Sequence, residues 1–482
     1  MKNHFCPYFL SIVCFLSFVW VACGDSDDTS SSPGDAPAPY GALPSPQQVE
    51  WQKMEYYMFV HFGPNTFTES EWGTGLEDPN VFNPTNLDCR QWARTAKAAG
   101  MKAIILTVKH HDGFCLWPTR WADHSVKKSQ WKNGEGDVLR ELSEACREYG
   151  LKMGIYMSPW DRNNSSYGTD YYNRVYANSL AEVLSRYGSV FEIWFDGANG
   201  EGPNGKEQAY DWALFTSLAK RNQPDILCFW SPYMDLRWVG NEKGQGSETN
   251  WATYNAEYGT TPALGTGIED GKIWIPAEAD VSIRPGWFHR PATDNQVKSI
   301  ETLLDIYYHS VGRNTNLLLN VPPDKRGMIH PNDSTRLMEL RKILDETFKV
   351  NLAQSATITT SNTRGNSSKY KAQNLLDEDY DTYWATDDRQ LSASIEIDWN
   401  KPQSFNRLML QEYIPLGQRV KSFSVEYWKD GQWQLIDNQT TIGYKRILCF
   451  PAVSAQKLRI TIKEALACPV ISSLGIYKAP GD

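Results

Sequence analysis

Several absences narrow the reading first. The chain carries a formal net charge of −9 and no Lys/Arg-rich run, so it lacks the electrostatic footprint that a nucleic-acid partner requires. Of its nine cysteines, Cys6, Cys14 and Cys23 lie at the N-terminus. The others (Cys89, Cys115, Cys146, Cys228, Cys449, Cys468) are scattered without a C-x-x-C pair, which gives a zinc site no support and fits buried small hydrophobes. No glycine-rich phosphate-binding turn follows the first strand-like segment, which argues against a nucleotide fold. The longest N-terminal apolar run, Phe9 to Val21, is too short to span a bilayer comfortably.

Aromatic residues, by contrast, are abundant: 19 Trp, 24 Tyr and 18 Phe in 482 residues. Most pack cores, but aromatic faces also stack on the apolar faces of sugar rings, and the excess tilts toward carbohydrate. Lys2 followed by the run Phe9 to Val21 reads as an export signal over residues 1–23. Val21-Ala22-Cys23-Gly24 resembles a bacterial lipobox with Cys23 as the lipidated residue, which implies a periplasmic or outer-membrane protein held by a lipid anchor. Ordinary cleavage nearby is the alternative, because Trp20 is untypical of a lipobox. The acidic, Ser/Pro-rich stretch that follows reads as a flexible linker over 24–45.

From there the chain alternates short apolar runs with amphipathic ones. The strands are Met58–Val60, Ala103–Val108, Lys152–Met157, Val190–Phe195, Ile226–Trp230, Lys272–Pro276 and Asn316–Val321, with helices between them that end at Gly100, Gly150 and Gly188. This alternation predicts an α/β catalytic domain over 46–348, a (β/α)8-like TIM barrel with one degenerate unit. A doubly wound open sheet is the alternative. Polar and aromatic residues at the C-terminal strand ends favour the barrel, because barrel enzymes place their chemistry there. Beyond, over 350–480, Thr/Ser/Asn-rich alternating segments such as Lys457-Leu-Arg-Ile-Thr-Ile462 predict an all-β sandwich.

The strand ends carry the candidate chemistry. His61 follows the first strand, and Lys109-His110-His111-Asp112 the second. Tyr156 and Ser158 end the third. Trp194-Phe195-Asp196-Gly197 ends the fourth, leaving Asp196 where the backbone turns out of the sheet. A lone histidine is usually a packing residue, but three on adjacent strand ends converge in a barrel. A turn or N-cap aspartate is the bland reading of Asp196.

Five segments, Met58 to Gly63, Lys109 to Phe114, Glu192 to Gly197, Ile283 to Phe288 and Asn316 to Pro323, resemble in order the signature segments of family 29 glycoside hydrolases, the α-L-fucosidases. That resemblance implies that Asp196 is the nucleophile of a retaining mechanism. It implies that His61, His110, His111, Tyr156, Trp194, Glu71, Trp72 and Trp287 bind the sugar. Glu242, in a segment resembling the subgroup selective for branched α-1,3/1,4-linked fucose, is the first candidate for the acid/base, and Glu278 is the rival. The mechanism needs the two carboxyls about 5 Å apart and no metal or organic cofactor. The implied partner is a fucosylated oligosaccharide or glycoconjugate. The segment Asn374 to Ala385 resembles discoidin-type (factor 5/8 type C) domains; Asp377, Asp379, Asp381 and Thr382 suit a structural Ca²⁺, and a solvated acidic turn suits them equally. Two rival functions remain: another retaining glycosidase, such as an α-galactosidase, and a sugar-binding lipoprotein without activity.

Overall fold

The computed structural model describes residues 34–255 and 262–481. The export signal, Cys23 and the first part of the expected linker lie outside the described residues. Strands β1 (Tyr56–Val60), β2 (Ala103–Lys109), β3 (Lys152–Met157), β4 (Val190–Trp194), β5 (Leu227–Phe229), β6 (Arg237–Trp238), β7 (Ala277–Ser282) and β8 (Thr315–Asn320) form one parallel sheet. Their order is β5-β4-β3-β2-β1-β8-β7-β6. A parallel bridge from Phe229 to Leu236 brings β5 beside β6 and all but closes the barrel.

Two-residue periodicity divides each strand between two cores. Met58, Ile104, Leu106, Ile193 and Leu319 face outward into the layer of helices. Tyr57, Phe59, Ile105, Tyr156, Trp194 and Leu318 face inward and meet on the axis. Helices Cys89–Ala98, Val138–Tyr149, Asp170–Arg186 and Trp212–Asn222 follow β1 to β4, and Ile300–Ser310 and Pro331–Phe348 follow β7 and β8. Val138–Tyr149 shows why they form. Asp137 caps the Arg140 N–H at 3.0 Å, Val138, Leu139, Leu142, Ala145 and Cys146 make one buried stripe, and Gly150 stops the helix with φ 65°.

The barrel corrects the sequence reading at two strands. Lys272–Pro276 is not a barrel strand, since Ile273–Trp274 pairs with Thr253–Tyr254 in a separate two-stranded sheet. The seventh barrel strand is the adjoining Ala277–Ser282, whose inward Glu278 and Asp280 hid it from a search for apolar runs. The eighth partner is the two-residue β6, read from sequence as part of a loop. No α-helix follows β5 or β6 among the described residues, so two units depart from the repeat, not one.

The C-terminal domain is an antiparallel sheet folded over its own core. Two strands of 20 residues, Ala393–Glu412 and Arg446–Ala465, pair with each other along most of their lengths. Register shifts at Asp398/Gln403 and Phe405/Arg407 break that pairing. The part of Ala393–Glu412 before the breaks also pairs with Thr357–Thr360, and the part after them with Val470–Tyr477, so one strand serves two layers. In the acidic turn, Asp377 accepts from the Asp379 N–H (3.1 Å) and from the Thr382 hydroxyl (2.6 Å), and Asp379 accepts from the Asp381 N–H (3.0 Å).

The last residues of the expected linker are fixed. Arg419 donates to the Ala38 carbonyl at 2.6 Å, and the Tyr40 N–H donates to Leu416 O at 3.0 Å. The segment thus lies along the C-terminal domain before Ser45 caps the helix Pro46–Gln52 under the barrel. The barrel's outer shell is locked by a fully buried pair, Arg284 and Asp333, 2.6 Å apart. Asp333→Ala would leave the guanidinium short of a partner, and a denaturant titration should show a loss of about 3 kcal/mol.

Candidate active site

The inward row of β4 continues past the strand as Glu192, Trp194 and Asp196, which places Asp196 at the rim directly above Trp194. The Tyr156 hydroxyl donates to Asp196 Oδ2 at 2.7 Å and the Ala198 N–H to Oδ1 at 2.8 Å. Both carboxylate oxygens therefore face donors, and the side chain is 24% exposed. Gly197 is required next to it, because a Cβ there would lie 1.8 Å from the Trp230 indole nitrogen.

Three histidines line the pocket beside Asp196. Adjacent histidines on a straight strand would point apart, but β2 ends at Lys109, and the turn closed by Gly113 N–H to His110 O bends the chain. The rings of His110 and His111 consequently lie 4.2 Å apart, and His61 lies 5.6 Å from His110. Asn320 fixes the His61 tautomer. Its Nδ2 donates to Ser282 Oγ and to the Trp287 carbonyl, so its Oδ1 accepts from His61 Nδ1–H at 2.8 Å. His61 Nε2 is then an acceptor. Ser158 does the same for His111: its hydroxyl donates to the Trp160 carbonyl at 3.0 Å, so Oγ accepts from His111 Nδ1–H at 2.8 Å. Burial above all holds the His61 pKa down at about 3 and lowers that of His111, so both rings are neutral. His111 Nε2 then faces Asp196 Oδ2 at 3.6 Å, acceptor against acceptor. A hydroxyl approaching this edge of the pocket can donate its one proton to either atom.

Glu242 joins the same site from the segment after β6. Burial raises its pKa, the charge of Asp196 raises it further, the Trp287 indole that hydrogen-bonds it opposes, and Glu71 adds to the rise. Arg237 does not neutralise it, because the guanidinium is fully buried and spent on Leu264 O, Ile275 O, Asn250 and Trp251 O. Trp287 stacks obliquely on His61 at 5.0 Å. Glu71 accepts from the Trp287 backbone N–H and pairs with Arg290, so it holds Trp287 in place. Trp72 stands at the rim, 57% exposed, with its edge to Trp160 at 6.1 Å.

Glu278 lies elsewhere. It is fully buried on the barrel axis, takes hydrogen bonds from the Tyr57 hydroxyl and from Trp194 Nε1 (2.7 Å), and sits beneath the Trp194 ring rather than beside the pocket. Glu192, held by Trp51 Nε1 at 2.9 Å, shares this interior. Burial raises both carboxyls, Glu278 to about 7 and Glu192 well above the ordinary range. Above them Asp280 accepts from Trp238 Nε1 at 2.7 Å, and burial lifts it to about 8.

Residues 39–349 match the alpha-L-fucosidase family, and residues 357–471 match the F5/8 type C domain family. Alpha-L-fucosidase 1 of Arabidopsis thaliana is 42% identical over 473 residues, 96% of this chain and 93% of its own. The chain belongs to glycoside hydrolase family 29, the alpha-L-fucosidases. Solved structures agree. A family 29 fucosidase of Ruminococcus gnavus in complex with fucose is 35% identical with a TM-score of 0.88, covering 94% of this chain and 98% of that one. A glycoside hydrolase 29 family member from an unknown rumen bacterium is 43% identical with a TM-score of 0.83, covering 92% and 78%.

Sequence reasoning missed the groups that orient the fucosidase pocket. Asn320 lies within the segment Asn316 to Pro323 and Ser158 at the end of the third strand, but nothing in a sequence tells an orienting side chain from an ordinary strand-end one. The buried carboxyls make stability depend on pH. Glu278 ionises at its ordinary value, 4.5, when unfolded and at about 7 when folded, so between these the folded fucosidase holds the extra proton. Its stabilising contribution is fully present below the lower value and is lost as pH rises through the upper one. The melting midpoint should fall from about pH 5 to about pH 7.5, and Glu278→Gln should flatten that fall. An equal slope in wild type and variant would contradict it.

Proposed function

We propose that the protein is a retaining exo-α-L-fucosidase in which Asp196 is the nucleophile and Glu242 the acid/base, acting on α-1,3/1,4-linked terminal fucose. One observation carries this reading: a carboxylate between donors and a carboxyl with raised pKa face one pocket of neutral histidines and tryptophan. His61 Nε2 and His111 Nε2 accept hydrogens from sugar hydroxyls, while Trp287 and the exposed edge of Trp194 take the ring and its methyl group, with Tyr156 packed behind them. Asp196 attacks the anomeric carbon as the glycosidic bond breaks, and Glu242 gives its proton to the departing oxygen. A water then enters, Glu242 takes its proton, and the fucosyl–Asp196 ester opens with the original anomeric configuration. The burial of Glu278 and its bonds to Tyr57 and Trp194 speak against the rival acid/base. The linkage preference rests on the segment Arg237 to Gly244. Export with lipid attachment at Cys23 is part of the proposal. So is a calcium ion in the acidic turn, to be checked by whether calcium or a chelator moves the melting midpoint.

Wild type should release fucose from a panel of α-1,2-, α-1,3-, α-1,4- and α-1,6-fucosylated oligosaccharides, with α-1,3 and α-1,4 preferred. Asp196→Ala should release none while keeping its fold; retained turnover would move the nucleophile elsewhere. Glu242→Ala should lose roughly 10²- to 10⁴-fold on these sugars and far less on a nitrophenyl fucoside, which needs little proton donation. Azide should rescue that variant through α-fucosyl azide, and a β-azide product would reverse the assignment. In kcat/KM the wild type should lose activity as pH rises through the Glu242 pKa, and Glu242→Ala should lack that limb.

A further inference from the structure

We propose that the C-terminal domain braces the acid/base loop, and that Gln418 and Thr441 are positioning residues for Glu242; this rests on the acid/base reading of Glu242 above. The barrel gives that loop backbone and side-chain contacts but no covering helix. β6 is two residues long and is followed by no α-helix among the described residues, so the chain after Trp238 lacks the helix that packs most units of a barrel. Its near end is tied to β7 by Val239 N–H to Glu278 O at 2.9 Å. Beyond Glu242 it packs Gly244 against Val281 and Ile306, and Gly246 N–H donates to His309 O at 2.7 Å.

The far end is held from the C-terminal domain. The Glu248 carbonyl accepts from the Thr440 hydroxyl (3.1 Å) and from Arg446. Asn250 N–H donates to Thr441 Oγ1 at 2.9 Å. Gln418 brackets the next turn, donating to Asn250 O at 3.0 Å and accepting from Ala252 N–H at 2.7 Å. Asn250 is fully buried, and its side chain closes the circuit. Its Oδ1 accepts from Arg237 of β6 at 2.7 Å, and its Nδ2 donates to Thr315 Oγ1 of β8 at 2.7 Å. Both ends of the segment carrying Glu242 thus meet at one residue, which Arg313, Asn314 and Thr315 hold from the barrel and Gln418 and Thr441 hold from the C-terminal domain. A general acid must stand within a fraction of an ångström of the departing oxygen, and an irregular segment keeps its place only through such anchors.

The test compares kcat/KM on a fucosylated oligosaccharide and on nitrophenyl fucoside in four proteins: wild type, Glu242→Ala, Gln418→Ala/Thr441→Val, and Lys445→Ala. Lys445 pairs with Glu55 across the same domain boundary but at the foot of β1. The double variant should lose roughly tenfold or more on the oligosaccharide relative to the nitrophenyl substrate, the signature of a displaced acid. Lys445→Ala should lower the melting midpoint and leave the ratio of the two substrates unchanged. An unchanged ratio in the double variant, or the same shift in Lys445→Ala, would overturn the brace while Glu242→Ala keeps its selective loss. If Glu242→Ala itself shows no selective loss, the acid/base reading fails separately. Should the double variant fold poorly, Thr441→Val alone, which keeps the side-chain shape, carries the same expectation.

Discussion

A β-strand returns to one face every second residue, and on β4 that period sets Glu192, Trp194 and Asp196 at three depths along the barrel axis. The deepest carboxyl is sealed under an indole, and the highest stands at the rim between the Tyr156 hydroxyl and the Ala198 N–H. Everything else in the site is arranged around the top of this row. Gly197 turns the chain against Trp230, and β3 supplies Tyr156 and Ser158. The ends of β1 and β2 bring the histidines to the same level. Moving β4 by one residue would turn the whole row onto the helices.

The interior beneath the pocket carries a cost that aromatic donors offset. Glu192, Glu278 and Asp280 are buried where an ionised carboxylate is expensive. Each receives an indole N–H, from Trp51, Trp194 and Trp238 respectively. Three of the 19 tryptophans therefore do more than pack: these rings fill the barrel and at the same time satisfy its acids. Raised pKa values keep the floor largely neutral, so a nucleophile at the rim is not opposed by charges below it.

This division explains how much was legible in the sequence. Strands with apolar outward rows, such as Ala103–Lys109, declared themselves, and so did the histidine and Asp196 segments at their ends. Ala277–Ser282 did not, because its inward positions are Glu278, Asp280 and Ser282, and β6 is too short for any periodicity. The same polarity made Glu278 look like a site residue, when its depth along the strand removes it from the pocket. Neither the orienting pairs His61–Asn320 and His111–Ser158 nor the contact of Gln418 with Asn250 leaves a local signal, since each joins residues far apart in the chain.

The central claim is that Asp196 bonds to the sugar. Glu242→Ala should form the fucosyl-enzyme from nitrophenyl fucoside but open it slowly, because no base remains to activate water. After rapid quenching and digestion, mass spectrometry should find one fucosyl group on the peptide containing Asp196. A fucosyl group on a different peptide, or no adduct together with first-formed fucose of inverted configuration, would contradict the account.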